Sequence, residues 1–209
     1  MKVIAFNGSP RKEGNTFLAL KMVAEELEKE DVEVEIVHVG GSVIRGCLAC
    51  GACKRNNDEK CIVDNDPVNE AIQKIKDADG ILLGTPVHYS AIAGTMKSFL
   101  DRVFFVSGNT LLRHKVGASV VAVRRSGGLP TFNQLNNYIN YAEMLMPSTN
   151  YWNVIHGGAP GDVEKDEEGK QIMRVLGKNM AYLLKLREQG MGTVEAPSQE
   201  DKVYMNFVR

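Results

Sequence analysis

The chain has 209 residues, 44% of them hydrophobic and 24% charged. That length suits one α/β domain with some residues left over for an insertion or an arm. Lys and Arg number 25 against 26 Asp and Glu, a net charge of −1, which excludes a global basic surface for nucleic acid or anionic lipid. The opening Met1-Lys2-Val3-Ile4-Ala5-Phe6 is too short for the core of a signal peptide. No apolar stretch approaches the roughly 20 residues of a membrane span. The expectation is a cytoplasmic protein that binds neither nucleic acid nor membrane.

Residues 2–6 form an apolar run that reads as a buried strand. A polar loop, 7–15, follows. Phe17, Leu20, Val23, Ala24 and Leu27 then recur at helical spacing over 16–30. Residues 32–39 alternate as a strand does. Residues 40–66 show no period and read as an inserted loop. Asp66-Pro67 opens the next helix, with Asp66 as N-cap, Pro67 at the first helical position and a stripe of Val68, Ala71, Ile72 and Ile75. A buried strand is predicted over 80–84. A helix over 91–105 turns Met96, Phe99, Leu100 and Val103 inward. Then come a strand over 116–123, a helix over 131–146, a strand over 149–155 and a helix over 170–188. Strands alternating with helices predict a doubly wound, five-stranded parallel sheet with helices on both faces. Ligands of such sheets bind at the carboxyl ends of the strands. The predicted organisation is a domain over 1–190, with 40–66 as a Cys-rich insertion, and a C-terminal arm over 191–209. The arm carries Tyr204, Met205, Phe207 and Val208 without helical period.

The loop after the first strand reads Asn7-Gly8-Ser9-Pro10-Arg11-Lys12-Glu13-Gly14-Asn15-Thr16. Free N–H groups at a helix N-terminus bind anions. Ser9, Asn15 and Thr16 add short polar side chains, and Arg11 adds a cation. This is a candidate phosphate cradle; the alternative is a solvated turn with Asn15 or Thr16 as a helix cap. It is not a Walker A loop, because five residues separate Gly8 from Gly14 and Asn15 stands where lysine is needed. The dinucleotide fingerprint is absent too. After the third strand come Pro86, Val87, His88 and Tyr89, which offer rings and backbone amides to a planar heteroaromatic ligand. After the fourth come Arg124, Arg125, Ser126, Gly127 and Gly128, either a solvated turn or cations facing an anionic ring.

The four cysteines, Cys47, Cys50, Cys53 and Cys61, lie within 15 residues and define a site. Thiolates favour zinc or iron–sulfur clusters. Structural zinc sites usually split their cysteines into two pairs. Three cysteines at successive x2 intervals are more like the cluster-binding run of ferredoxins. Two features depart from that run: seven residues precede the fourth cysteine, and Ile62 stands where proline follows it. Free thiols and zinc stay as alternatives. His38, His114 and His156 show no metal-ligand spacing, and Tyr151-Trp152-Asn153 reads as core and rim.

Taken together, GSPRKEGNT, GTPVHYSAIAGTMKSFLDR, VRRSGG and YWN resemble the flavodoxin-like NAD(P)H-dependent FMN reductase superfamily. The cysteine loop and the CIVDND that follows are similar to its iron–sulfur flavoprotein branch. The resemblance implies a flavodoxin-like fold and FMN. It implies Ser9, Arg11, Asn15 and Thr16 for the phosphate, and Pro86, Val87, His88 and Tyr89 for the ring. It adds Arg124, Ser126 and Gly127 from the third loop. It further implies a 4Fe–4S cluster, labile to aerobic handling, on Cys47, Cys50, Cys53 and Cys61. The implied activity is that of a flavin-dependent oxidoreductase, in which a ferredoxin-like donor passes electrons through the cluster to FMN and on to a small-molecule acceptor. A homodimer or homotetramer is implied as well. The cofactors carry this chemistry, so no acid–base side chain is required and no catalytic residue is expected. One alternative is an NAD(P)H-dependent FMN or quinone reductase without a cluster. Another is a non-enzymatic redox-sensing or metal-binding module.

Overall fold

A computed structural model describes residues 1–108, 110–205 and 207. Among these residues six strands form: β1 (Lys2–Asn7), β2 (Glu33–His38), β3 (Gly80–His88), β4 (Ala91–Ile92), β5 (Val116–Val123) and β6 (Val154–His156). The five long-range partners pair in parallel in the order β2-β1-β3-β5-β6, while β4 folds back antiparallel on β3. With β4 set aside this is the flavodoxin-like order. The helices are α1 (Asn15–Glu28), α2 (Ala52–Asn56), α3 (Val68–Asp77), α4 (Gly94–Ser107), α5 (Gly128–Tyr141) and α6 (Glu167–Gly190).

Successive strand side chains point to opposite faces, and β1 shows the result. Val3 and Ala5 join a core with Leu20 and Val23 of α1 and Leu176 and Met180 of α6. Ile4 and Phe6 join the opposite core with Ile72 of α3, Phe99 of α4 and Ile139 of α5. Each fully buried Leu, Ile, Val or Phe contributes about 1.5–3 kcal/mol, so these two layers hold the helices on the sheet. All eight residues of β5 are buried, as its unbroken apolar run requires.

Several boundaries differ from the sequence reading, each for a local reason. β3 runs on to His88, past Pro86. The β1–β3 pairing ends at Asn7–Gly84, so that side of β3 needs no further ladder donors, and Pro86 pairs only with Ala122 of β5. Tyr89 and Ser90 then take left-handed backbone angles, with φ 51° and 59°. They form the two-residue turn of the β3–β4 hairpin, in which His88 faces Ala91. Hence α4 begins at Gly94 rather than at 91. Helix α3 begins at Val68, one residue later than expected, although Asp66 Oδ1 still accepts the Val68 N–H at 3.1 Å. Helix α5 starts at Gly128 and ends at Tyr141, earlier at both ends than 131–146. Only Val154–His156 of the predicted strand 149–155 pairs in the sheet. Helix α6 extends past 170–188 at both ends, and Asp166 caps it by accepting the Gly169 N–H. Inside the cysteine segment the short α2 sits between left-handed Gly51 and Asn57.

Beyond α6 no helix or strand forms among the described residues. Arg113 Nη2 donates to the Pro197 carbonyl at 3.0 Å, and Lys202 Nζ reaches the Tyr141 hydroxyl. The tail therefore folds back over its own chain. Val203, Tyr204, Met205 and Phe207 stay exposed. Val208 lies outside the described residues. Among the described residues no helix is long and apolar enough to cross a membrane.

Candidate functional site

The carboxyl edge of the sheet gathers the three sequence loops. Asn7, fully buried at the end of β1, folds the first loop: its Oδ1 accepts the Ser9 N–H at 3.1 Å, and its Nδ2 donates to the Lys12 carbonyl at 2.9 Å. Ser9 Oγ accepts the Arg11 N–H at 3.1 Å. His38 Nε2 stands 2.8 Å from the Ser9 carbonyl, tying the loop to β2. Gly8 leaves no room for a side chain, since a Cβ there would lie 2.6 Å from Met96 Cβ of α4. The loop ends where α1 begins. The N–H groups of Asn15, Thr16 and Phe17 open that 14-residue helix and have no acceptor within it.

An open cleft lies above this loop. Ser9 and Arg11 line it from the first loop, Asn15 and Thr16 from the start of α1, and Pro86, Val87 and His88 from the end of β3. Ala122, Arg124, Gly157 and Gly158 complete the wall. The lining holds two arginines and no carboxylate, and neither arginine has an ion-pair partner among the described residues. Helix amides and unpaired guanidinium groups give the cleft the donors that an anion site needs.

Three of the predicted cofactor residues lie outside this lining. Tyr89 projects fully into solvent at the hairpin tip. Ser126 and Gly127 sit where the third loop touches the second. Gly127 has φ 87°, and a Cβ on it would fall 2.6 Å from Ser90 Oγ. Asn15 lines the cleft, but its side chain is already engaged: Oδ1 accepts the Gly161 N–H at 2.8 Å and Nδ2 donates to the Ala159 carbonyl at 2.9 Å. The reading of the sequence missed Asn7, whose place after an apolar strand and before Gly8 was the available signal. It also missed the 157–161 turn, which no local pattern announces.

The cysteines occupy a second place, over α4. All four are free, and all four line one pocket with Gly46, Gly51, Ile62 and Val63. Phe105, Val106 and Arg102 of α4 form its floor. Cys47 and Cys50 are exposed, Cys53 and Cys61 partly buried. Burial pushes the Cys53 thiol up. Burial also works against the charge of Arg102, but hydrogen bonds to Asp66 and Cys61 outweigh it and hold the guanidinium above its ordinary value. Four thiols on one pocket, with two glycines making room, suit a thiolate-bound metal group by donor chemistry. Among the described residues, no three His, Cys, Asp or Glu side chains stand close enough to hold one metal ion.

Residues 1–159 match the family described as NADPH-dependent FMN reductase. Iron-sulfur flavoprotein MJ1083 of Methanocaldococcus jannaschii is 35% identical over 193 residues, covering 89% of this chain and 98% of that protein. The fold is similar to a flavodoxin from the domain Archaea, with a TM-score of 0.60 and 18% identity over 88% of this chain and 99% of that one. It is also similar to FerB, a flavoenzyme NAD(P)H:(acceptor) oxidoreductase from Paracoccus denitrificans. There the TM-score is 0.65 and the identity 18%, over 88% of this chain and 97% of that one.

Proposed function

Because the chain belongs to the NADPH-dependent FMN reductase family and is a flavin-dependent oxidoreductase, we propose that it is an iron–sulfur flavoprotein. In this reading it passes electrons from a ferredoxin-like donor through a 4Fe–4S cluster to FMN, and on to a small-molecule acceptor. When bound, FMN takes one or two electrons and a 4Fe–4S cluster one, so the pair joins a one-electron donor to a two-electron acceptor. The observation that carries the reading is the gathering of all four thiols on one pocket beside α4. That helix starts next to the β3–β4 hairpin at Gly94. Arg102, eight residues on and about 12 Å along the axis, reaches Cys61.

The chain's own residues supply position. Arg11, Arg124 and the first amides of α1 bind and orient the FMN phosphate. Ser9 shapes the loop beneath it, and Thr16 closes its floor. Pro86, Val87 and His88 would offer backbone and ring to the flavin, with Tyr89, Ser126 and Gly127 at the margin of the cleft. Cys47, Cys50, Cys53 and Cys61 hold the cluster. In an oligomer of two or four chains, the exposed Tyr89 and the apolar tail would meet a neighbour.

A second reading is an NAD(P)H-dependent reductase whose cysteines hold no cluster. It is favoured by the match of residues 1–159 to the NADPH-dependent FMN reductase family. Anaerobic rapid-mixing distinguishes the two. The electron-carrier reading predicts that a reduced ferredoxin bleaches the flavin much faster than NADPH does, and that Cys50→Ser removes the ferredoxin rate. Fast bleaching by NADPH, unchanged in Cys50→Ser, would establish the second reading instead.

A further inference from the structure

Helix α4 turns one charged side chain fully inward. Arg102 is 1% exposed, and the side chain of its partner Asp66 is 3% exposed. A buried ion pair survives desolvation only when its remaining hydrogen-bonding groups are satisfied. Here they are satisfied by the cysteine segment. Arg102 Nη1 bonds the Asp66 carboxylate and the Arg45 carbonyl, Nη2 donates to the Val63 carbonyl at 2.6 Å, and Nε donates to Cys61 Sγ at 3.3 Å. Asn69 of α3 holds the same cysteine from the other side. Its Oδ1 accepts the Cys61 N–H at 2.8 Å, and its Nδ2 donates to the Cys61 carbonyl at 2.9 Å. Cys61 is thus fixed at its N–H, its carbonyl and its sulfur. Cys47 and Cys50, by contrast, are exposed.

We propose that Cys61 is the pre-placed ligand of the cysteine set, and that Arg102 is a positioning residue that holds it and makes the thiolate-bound group easier to reduce. The inference rests on the cluster reading above. Reduction adds negative charge to a sulfur-ligated group, and an N–H donated by a cation to a ligating sulfur favours the more negative state. Asn69 contacts only the backbone of Cys61, so it fixes position without that electronic effect. Lysine at 102 would keep a charge opposite Asp66 but lose the planar fork and the Nε–H aimed at sulfur.

The test uses the full chain with FMN bound, reconstituted anaerobically with ferrous iron and sulfide. The wild type is compared with Arg102→Lys, Arg102→Gln and Asn69→Ala for iron, sulfide and FMN per chain and for the cluster midpoint potential. The proposal predicts that Arg102→Gln loses most iron and sulfide while FMN stays near one per chain. Arg102→Lys restores the content but shifts the one-electron equilibrium about tenfold toward the oxidised form, which is 59 mV more negative. Asn69→Ala loses cluster content and leaves the potential of what remains unmoved. A wild type that loads, with variants that match it in content and potential, overturns this inference alone. A wild type that takes up no iron or sulfide overturns the cluster reading together with it.

Discussion

Asn15, the first residue of α1, accepts the backbone N–H of Gly161 at 2.8 Å. With its second bond to Ala159 it straps the 157–161 turn across the first loop. Its amide is therefore engaged before any phosphate arrives, and its contribution to FMN binding runs through the shape of the cleft. Asn15→Ala removes two neutral hydrogen bonds, worth about 0.5–1.5 kcal/mol each. The variant should lose roughly 1–3 kcal/mol of stability in denaturant unfolding and gain protease sensitivity at the 157–161 turn. A variant with wild-type stability and a large loss of FMN affinity would instead make Asn15 a direct ligand.

Arg11 and Arg124 present the opposite case. Both are exposed, and neither has an ion-pair partner among the described residues. Replacing either by Ala should leave the unfolding midpoint nearly unmoved. Each charge-assisted bond to a phosphate is worth about 1.5–3 kcal/mol, so the Kd for FMN should rise about tenfold or more. Flavin titration of the apoproteins reads this directly, and unchanged affinity in both variants removes both arginines from the site.

These two predictions divide along what the sequence displays. The stripe Val68, Ala71, Ile72, Ile75 and the set Met96, Phe99, Leu100, Val103 are all buried, because helical period and apolarity are local properties. The gathering of three loops at one edge follows from alternating elements and their crossover rule. The displaced start of α4 was not legible, since Tyr89-Ser90 carries none of the Asn-Gly signal of such turns. Arg102 was not legible either. An arginine within a helix reads as solvated until Asp66 and Val63, more than thirty residues away, are brought over it.

Glu35 of β2 is held by Lys74 of α3 at 2.6 Å. The hydrogen bond from Lys74 keeps the Glu35 carboxyl below its ordinary value of 4.5, against a smaller opposing effect of burial. A lowered folded-state value means that the stabilisation is present above pH 4.5 and is lost as pH falls through the folded value. Glu35 is about one-third exposed, so the effect is modest, within about 1 kcal/mol after screening. Glu35→Gln should lower the thermal midpoint slightly at pH 7, and the gap should close toward pH 3. A gap that widens on acidification would contradict the assignment.

The tail makes a separate prediction. Val203, Tyr204, Met205 and Phe207 are exposed on the chain by itself, although Arg113 and Lys202 anchor the segment before and beside them. Contiguous exposed apolar residues mark contact surfaces. Light scattering should show a dimer or tetramer for the full chain and a shift toward monomer for a chain ending at Gly190. An unchanged mass, or a monomeric full chain, refutes the assignment of the tail to a subunit contact.

The two sites stand on different elements: the cleft at the carboxyl ends of β1, β3, β5 and β6, and the cysteines on the segment between β2 and α3. Each should therefore fill independently of the other. The most direct measurement is the amount of FMN, iron and acid-labile sulfide per chain in anaerobically purified and reconstituted protein, taken on one sample of the wild type and one of Cys50→Ser. Serine at that position ligates iron poorly. The account predicts about one FMN with four iron and four sulfide in the wild type, and about one FMN with little iron or sulfide in Cys50→Ser. FMN without iron or sulfide in the wild type would contradict it.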